Sequence, residues 1–380
     1  MNKNSKILLW AGLVVVVAII FFSTFSGQQS SNEPIRIGVA VGQTGFGQEW
    51  GNGEFRAVQL LADKVNKNGG IDGHSLELIV EDTKSDNVGT VNAVTKLVNV
   101  DKVPVIIGPT WADSFGGGTP IAENAHVVLI SPSAAIEVAK ETKNFSYLFS
   151  TWWPQLPEIV RLQRFLRDSG LKKVVVINDQ DAFNTKISDL FIEQSKSAEL
   201  NVVGHYVTPI GVNDFRTTLV KAKQLSPDAI FVETQDISEI GPLTKQMREL
   251  NFRPKIFSTT SAQNEDLVQK FGSFVEGMIY TYPATESDAA YKKLVQEYTV
   301  RYGQPPSGPS FVNAYNAALM VVEALKNGAR SGEEIKNQLV KIKIPGIALR
   351  ELFFNDRGQI GEASFEVRTI KNGKFIKIAD

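Results

Sequence analysis

The chain has 380 residues, 43% of them hydrophobic and 21% charged, with a formal net charge of −1. That length suits two lobes of roughly 150 residues each, and the near-neutral balance excludes a basic field for nucleic acid. Cysteine is absent, which removes disulfides, thiol catalysis, iron–sulfur clusters, thiolate zinc sites and lipid attachment through an N-terminal cysteine. In chain order, Lys3 and Lys6 precede an unbroken apolar run, ILLWAGLVVVVAIIFF, which gives way to a polar exit, STFSGQQSSNE. A basic start, apolar centre and polar exit form an export signal. The run is just short of the ~20 residues that span a bilayer, so residues 1–34 read as a cleaved signal or as an uncleaved membrane anchor with a short linker. Either places the remainder outside the cytoplasm.

From Ile35 the chain alternates short apolar strands with amphipathic helices. IRIGVAV leads to a helix near 55–68 and SLELIVE to one near 88–101; VPVIIG, a short helix over TPIAENA and HVVLIS follow. After the aromatic stretch TWWPQLP come a helix near 158–169, KKVVVIN, a helix near 182–199, NVVGHYV, a helix near 215–225, AIFVET, a helix near 240–250 and KIFST. Such alternation implies parallel sheets with helices on both faces and right-handed crossovers. The tail breaks the rhythm, with helices near 289–302, 310–326 and 333–341, then ELFFNDRGQ, then a ribbon turning at Asn372-Gly373. The expected architecture is α/β, two doubly wound parallel-sheet lobes joined by a three-crossover hinge and preceded by an N-terminal apolar helix. Residues 35–150 and 284–345 form lobe 1, and 151–283 and 346–380 form lobe 2.

The stretch from Val103 to Ala135 holds two strands that each end in a turn of small or hydroxyl-bearing residues, PTWADSFGGG and PSAA. In an open parallel sheet, ligands sit outside the carboxyl ends of strands, where backbone N–H groups point outward. These adjacent turns form a ligand shelf. The glycines of GQTGFGQEWGNG fail the dinucleotide fingerprint, because Trp50 stands at the third glycine position. The better reading is a flexible loop that presents Trp50 to a cleft, where its ring can stack on a ligand. Gly116-Gly117-Gly118 lacks the Lys and Ser/Thr of a phosphate loop and reads as close helix packing or as a flexible point. Asp179, Asp181, Glu81 and Asp82 follow strands, where capping is the commoner role and binding of a cationic group the alternative. His74, His126 and His205 are scattered without ligand spacing. Neither a nucleophile–base set nor a carboxylate pair is readable, so the chain is expected to have no catalytic activity, cofactor or metal.

Residues 35–380 resemble the extracytoplasmic solute receptors of the leucine/isoleucine/valine-binding type, which have the type I periplasmic-binding fold. The resemblance rests on IRIGVAVGQTG, NKNGGIDG, the VIIGPTW and LISPSAA turns, VVVINDQDAFN, EGMIYTYP and FFNDRGQ. It implies a receptor that closes on a small solute and delivers it to the permease of an ABC transporter as a monomer. Carried over position by position, it implies ligand contacts from Trp50, Thr110, Trp111, Ala112, Ser133, Ala135, Trp152, Phe183, Gln235 and Thr260. Amino-acid receptors of this type use hydroxyls on both first-lobe turns for the α-carboxylate and a second-lobe acid for the α-ammonium. Here Ala112 and Ala135 stand at the hydroxyl positions and Thr260 at the acid position. Glu233 or Asp236 can replace the acid if the loop is shifted. The expected solute is therefore an amino acid or a related small apolar or aromatic molecule, or a cation held over a ring. A ligand-sensing ectodomain is the alternative reading; an enzyme is opposed by the failed glycine motif.

Overall fold

The computed structural model describes residues 33–111, 115–136, 145–234, 237–285, 288–306, 308–361 and 363–379. The apolar N-terminal run lies outside them, and among the described residues no helix is long and apolar enough to cross a membrane.

Strands β1 (Ile35–Val41), β2 (Leu76–Asp82), β3 (Val105–Ile107), β4 (Val128–Ser131) and β5 (Leu148–Ser150) form one sheet in the order β2-β1-β3-β4-β5. All its pairings are parallel. Helices α1 (Gln48–Lys67), α2 (Asn87–Asn99) and α3 (Phe115–Asn124) connect its strands. The second sheet contains β6 (Lys173–Asp179), β7 (Asn201–Thr208), β8 (Ala229–Glu233), β9 (Lys255–Ser258) and β10 (Ile279–Pro283), interleaved with α4 (Gln155–Asp168), α5 (Ala182–Ser195), α6 (Arg216–Gln224), α7 (Ile237–Glu249) and α8 (Glu265–Phe271). Then come α9 (Ala289–Tyr302), α10 (Ser310–Lys326), α11 (Gly332–Leu339) and a hairpin of β11 (Ile344–Gly346) and β12 (Leu349–Leu352). Finally β13 (Phe365–Lys371) joins β10 antiparallel, with β14 (Lys374–Ala379) outside it.

Alternation along the strands covers both faces of each sheet. Val105 and Ile107 face a core with α1 and α10, while Ile106 faces α2 and α3 across the sheet. In the second sheet Val175 and Ile177 divide from Val174 and Val176 in the same way. Leu294, Tyr298, Phe311 and Ile335 of α9–α11, and Leu349 and Leu352 of the hairpin, enter the core under β1. The glycine run serves helix packing: a Cβ at Gly117 would lie 2.5 Å from Val91 Cγ2 and one at Gly118 3.0 Å from Val94 Cγ2.

The chain passes between the sheets after Ser150, after Pro283 and before Phe365, and the passages are tied together. Ser150 N–H donates to Gly358 O (2.8 Å), Ile360 N–H to Ser150 O (3.0 Å) and Ala284 N–H to Ser364 O (2.8 Å). In FFNDRGQ, Asn355 Oδ1 accepts from Arg357 N–H (2.9 Å) and Gln359 N–H (3.1 Å), which fixes the turn.

Helix α1 begins at Gln48, seven residues before the sequence pattern places it. Trp50 is thus on a first helical turn, not in a flexible loop. Glycines at 51 and 53 obscure this start, since glycine disfavours helix by ~1 kcal/mol each. Gly51 is needed there because a Cβ would overlap the Gly42 carbonyl.

Candidate ligand-binding site

In the first sheet the chain leaves β1 toward β2 on one side and returns as β3 on the other; β6 and β8 repeat this in the second. Crevices open at the carboxyl ends of such strand pairs. After β1, Asp82 Oδ1 accepts from Gln43 N–H (2.9 Å) and Thr44 N–H (3.2 Å), and Oδ2 from the Thr44 hydroxyl (2.6 Å). Burial opposes ionisation of Asp82, but these bonds and one from Lys84 N–H outweigh it and hold the carboxyl below its usual range. Asp82 is spent on shaping this loop, and Glu81 pairs outward with Lys96 Nζ at 2.6 Å.

The shelf after β3 and β4 is wired from beneath. Thr110 Oγ1 donates to Glu54 Oε2 (2.7 Å) and accepts from Gly42 N–H (3.1 Å). Ser133 Oγ accepts from Trp111 N–H (3.0 Å), and Ser131 Oγ accepts from the N–H groups of Ser133 (3.3 Å) and Ala134 (3.0 Å). Glu54, on α1, is fully buried. Burial raises its pKa to about 7, against the hydroxyls of Ser133, Thr110 and Ser310, which pull it down. Ala135 turns into the apolar core under β1. Trp111 holds φ at +68°, a left-handed conformation uncommon for a bulky residue.

Aromatic rings line the same region. Trp111 meets Phe46 at 4.7 Å and Trp50 edge-on at 5.5 Å; Trp50 meets Trp152 at 5.9 Å, and Trp152 meets Trp153 at 4.7 Å. Gly308, with φ +70°, lies against the Trp50 indole, where a Cβ would come within 3.1 Å. Trp152 and Trp153 are buried at the first passage between lobes, and the Trp152 indole Nε1 has no hydrogen-bond partner among the described residues.

On the second lobe, Asp181 caps α5, its Oδ1 accepting from Phe183 N–H (2.9 Å) and Asn184 N–H (3.2 Å). Capping is thus the observed role. Asp179 Oδ1 accepts from Asp181 N–H (3.0 Å) and Asn184 Nδ2 (2.8 Å). Phe183, one turn into the lobe, packs against the cores on both faces of the first sheet as well as its own. Thr260 gives both its N–H (2.9 Å) and its hydroxyl (2.7 Å) to Glu158 Oε1, which also accepts from Thr281 Oγ1 (3.0 Å). Glu233, at the end of β8, accepts from Thr259 Oγ1 (2.7 Å) and Ser261 Oγ (3.1 Å) through Oε1. Its Oε2 is buried with no partner among the described residues, as is the hydroxyl of neighbouring Thr234. Burial raises Glu158 to about 7 and Glu233 to about 8, and the charge of Glu158 adds to the rise at Glu233.

The structure therefore brings Trp50, Trp111 and Trp152 into ring contact, holds Thr110 and Ser133 in the shelf, and packs Phe183 against the same core, while Thr260 is bonded to Glu158 on α4. Ala112 and Gln235, like Asp236, lie outside the described residues. Glu54 and Glu158 escaped the sequence reading. The signal was there: each stands on a helical stripe whose i+4 neighbour, Val58 or Leu162, is buried and apolar.

The family model described as periplasmic binding protein matches residues 34–374. The leucine-, isoleucine-, valine-, threonine- and alanine-binding protein of Pseudomonas aeruginosa is 23% identical over 358 residues, covering 93% of this chain and 94% of that protein. The Leu/Ile/Val-binding protein of Escherichia coli is 22% identical over 335 residues, covering 88% and 90%. Among solved structures, the branched-chain amino acid transporter substrate binding protein of Streptococcus pneumoniae, in complex with isoleucine, superposes with a TM-score of 0.79. It is 26% identical, covering 91% of this chain and 100% of that one. A solute binding protein of an ABC transporter from Rhodopseudomonas palustris, in complex with 3,4-dihydroxybenzoic acid, gives a TM-score of 0.78 at 23% identity, covering 92% and 97%.

Proposed function

Because the chain belongs to the periplasmic binding protein family, we infer that it is the extracytoplasmic solute-binding component of an ABC-type importer. It closes its two lobes on one small solute and presents the closed form to a membrane permease. The N-terminal apolar run exports the protein or tethers it to the outer face of the membrane. The observation that carries this reading is a set of buried polar atoms without partners among the described residues, at two of the passages between the sheets, just after β8 and on α10. Trp152 Nε1, Thr234 Oγ1, Thr285 Oγ1 and the side-chain amide of Asn313 are all of this kind among the described residues. Burying such groups unpaired costs ~1–3 kcal/mol each, and a polar solute in the cleft offsets that cost.

The proposed contacts come from Trp50, Trp111 and Trp152, from the turns at Thr110–Ala112 and Ser133–Ala135, and from Phe183, Gln235 and Thr260. Phe183 supports closure as the working motion, since it joins the cores of both lobes. No step of bond chemistry belongs to this reading. Amino acids and aromatic acids are the starting panel, because relatives and structural neighbours are described as binding them. Thermal melting of the full-length chain against that panel, extended to amides and amines, tests the function. A ligand at ~100 times its Kd adds ~2.7 kcal/mol of stability, so a specific solute raises Tm visibly. A panel that leaves Tm unmoved overturns the reading. With any solute that does bind, Trp111→Ala is expected to weaken affinity about tenfold, roughly the value of one lost aromatic contact.

A further inference from the structure

The solute-binding reading, on which this inference rests, makes the Thr110 turn a solute contact, and one buried carboxyl sits behind that turn. Glu54 stands one helical turn after Trp50 on α1 and is fully buried. Its Oε2 lies 2.7 Å from Thr110 Oγ1, which also accepts from Gly42 N–H at 3.1 Å. The hydroxyls of Ser133, on the second turn, and of Ser310, at the start of α10, favour its ionised form as well. One carboxyl thus draws on hydroxyls from both shelf turns and from the helix that packs along α1.

Among the described residues, burial and these hydroxyls are what act on Glu54. The charged groups of α1 and the elements packed against it are engaged elsewhere. Arg56, the nearest cation in sequence, lies over the Tyr302 ring, while Lys64 pairs with Glu297 of α9 and Asp63 with Arg301. Arg36 of β1 pairs with Glu77 of β2, Asp82 closes the loop after β1, and Glu323 pairs with Lys326 at the far end of α10. Burial therefore lifts Glu54 to about 7, and the group changes charge near neutral pH.

A hydroxyl has one proton and two acceptor sites. At Thr110 the Gly42 N–H fills one of those sites. An ionised Glu54 is an acceptor only, so its contact takes the Thr110 proton. A solute at the turn then meets an oxygen with no proton to give. A protonated Glu54 instead donates its own O–H to the second acceptor site of Thr110, and the Thr110 proton turns to an acceptor on the solute. We propose that Glu54 is a positioning residue for solute binding: its ionised form holds the Thr110 hydroxyl proton back from the solute, its protonated form releases it, and binding takes up a proton. Binding then raises the pKa of Glu54, so affinity is full below about pH 7 and falls as pH rises through the higher, solute-bound value.

The test is calorimetry of the full-length chain with isoleucine, with benzoate and with any other panel member that raises Tm. The carboxylates of both named probes stay ionised from about pH 5.5 to about pH 8.5. Whichever binds is expected to bind about three- to tenfold more weakly at the upper pH, the worth of one hydrogen bond. Near pH 7.5, buffers of different ionisation enthalpy should reveal about a quarter to a half of a proton taken up. Glu54→Gln donates an amide N–H to Thr110 as the protonated acid does. It is expected to keep the low-pH affinity throughout and to take up no proton. Thr110→Val has no proton to release and should show the weaker affinity throughout. Structural damage alone does not strengthen binding at high pH in one variant while weakening it at low pH in the other. A wild-type affinity that is flat across the range overturns the inference while solute binding stands. So does a slope that survives Glu54→Gln, which would place the proton on Glu158 or Glu233 of the second lobe. If Glu54→Gln does not fold, a slope unchanged in Thr110→Val overturns it equally. If no member of the panel binds, the solute-binding reading falls and takes this inference with it.

Discussion

Glu54 puts an ionisable group where the rest of α1 buries Ala57, Val58 and Leu61. Glu158 does the same on α4 beside Ile159 and Leu162, and Glu233 ends a wholly buried strand. Burial lifts their pKa values to about 7, about 7 and about 8, whereas an unfolded chain returns them to ~4.3. Between these limits the folded state holds more protons than the unfolded state, so stability falls as pH rises. The contribution is full below about pH 4.3 and is lost as pH climbs through the folded values, at up to ~1.4 kcal/mol per pH unit for each acid. Urea unfolding of the solute-free chain is therefore expected to give a lower unfolding free energy at pH 8.5 than at pH 5.5. Glu54→Gln keeps an acceptor for Thr110 and should be neutral near pH 5 but stabilising by ~1–2 kcal/mol at pH 8.5. A profile that rises from pH 5.5 to 8.5, or a Gln variant no more stable than wild type at the upper end, contradicts this account. These acids were hard to read because a single carboxyl on an apolar stripe looks like a solvated edge until the helix on its other side is known. For Glu54, that neighbour is the Ser310 end of α10, more than 250 residues away in the chain.

Among elements, the long Val/Ile strands were legible because burial on both faces leaves an unbroken apolar run, as in β6 and β8. Their parallel sense followed from alternation with helices and the right-handed crossover. Strands β5 and β11, three residues each, are too short for any periodicity and take their conformation from neighbours. Helix α8 and the hairpin partner β12 were likewise unanticipated, being seven and four residues long. The start of α1 was hidden for a different reason, since tertiary contact overrides propensity there. Gly51 costs helix stability locally, yet its bare Cα is what lets the first turn approach the Gly42 carbonyl and carry Trp50 to the crevice. Gly51→Ala should raise helix propensity by ~1 kcal/mol and still lower global stability by ~1–3 kcal/mol, the usual cost of overpacking. Chemical denaturation gives the sign directly. A stabilised Gly51→Ala protein would show that the approach is dispensable.

Over the whole molecule, the two lobes were legible as separate strand–helix series, and FFNDRGQ marked a passage between them that the structure ties to Ser150. The packing of α9–α11 and the β11–β12 hairpin against the β1 core was only partly visible, because nothing local in those helices names the sheet they cover. What sequence alone could not supply is the balance between open and closed arrangements. Bonded passages such as Ala284 to Ser364 fix the pivot, but they do not fix the angle about it. On the proposed closure reading, contacts made when the lobes approach set that angle, and Phe183, packed against the cores of both lobes, is the candidate for one. Truncating it removes apolar burial from the closed form and little from the open one, because the side chain is half-buried and seated at the rim of its own lobe. Phe183→Ala is therefore expected to shift the solute-free population toward the open form, seen as a larger radius of gyration in small-angle scattering. Affinity for any solute that binds should fall in proportion to the lost closed fraction, because a ligand selective for one state binds only as tightly as that state is populated. Saturating solute should restore the compact form, since its differential affinity can still draw the lobes together. A variant with unchanged radius and unchanged affinity would place the control of closure elsewhere in the hinge.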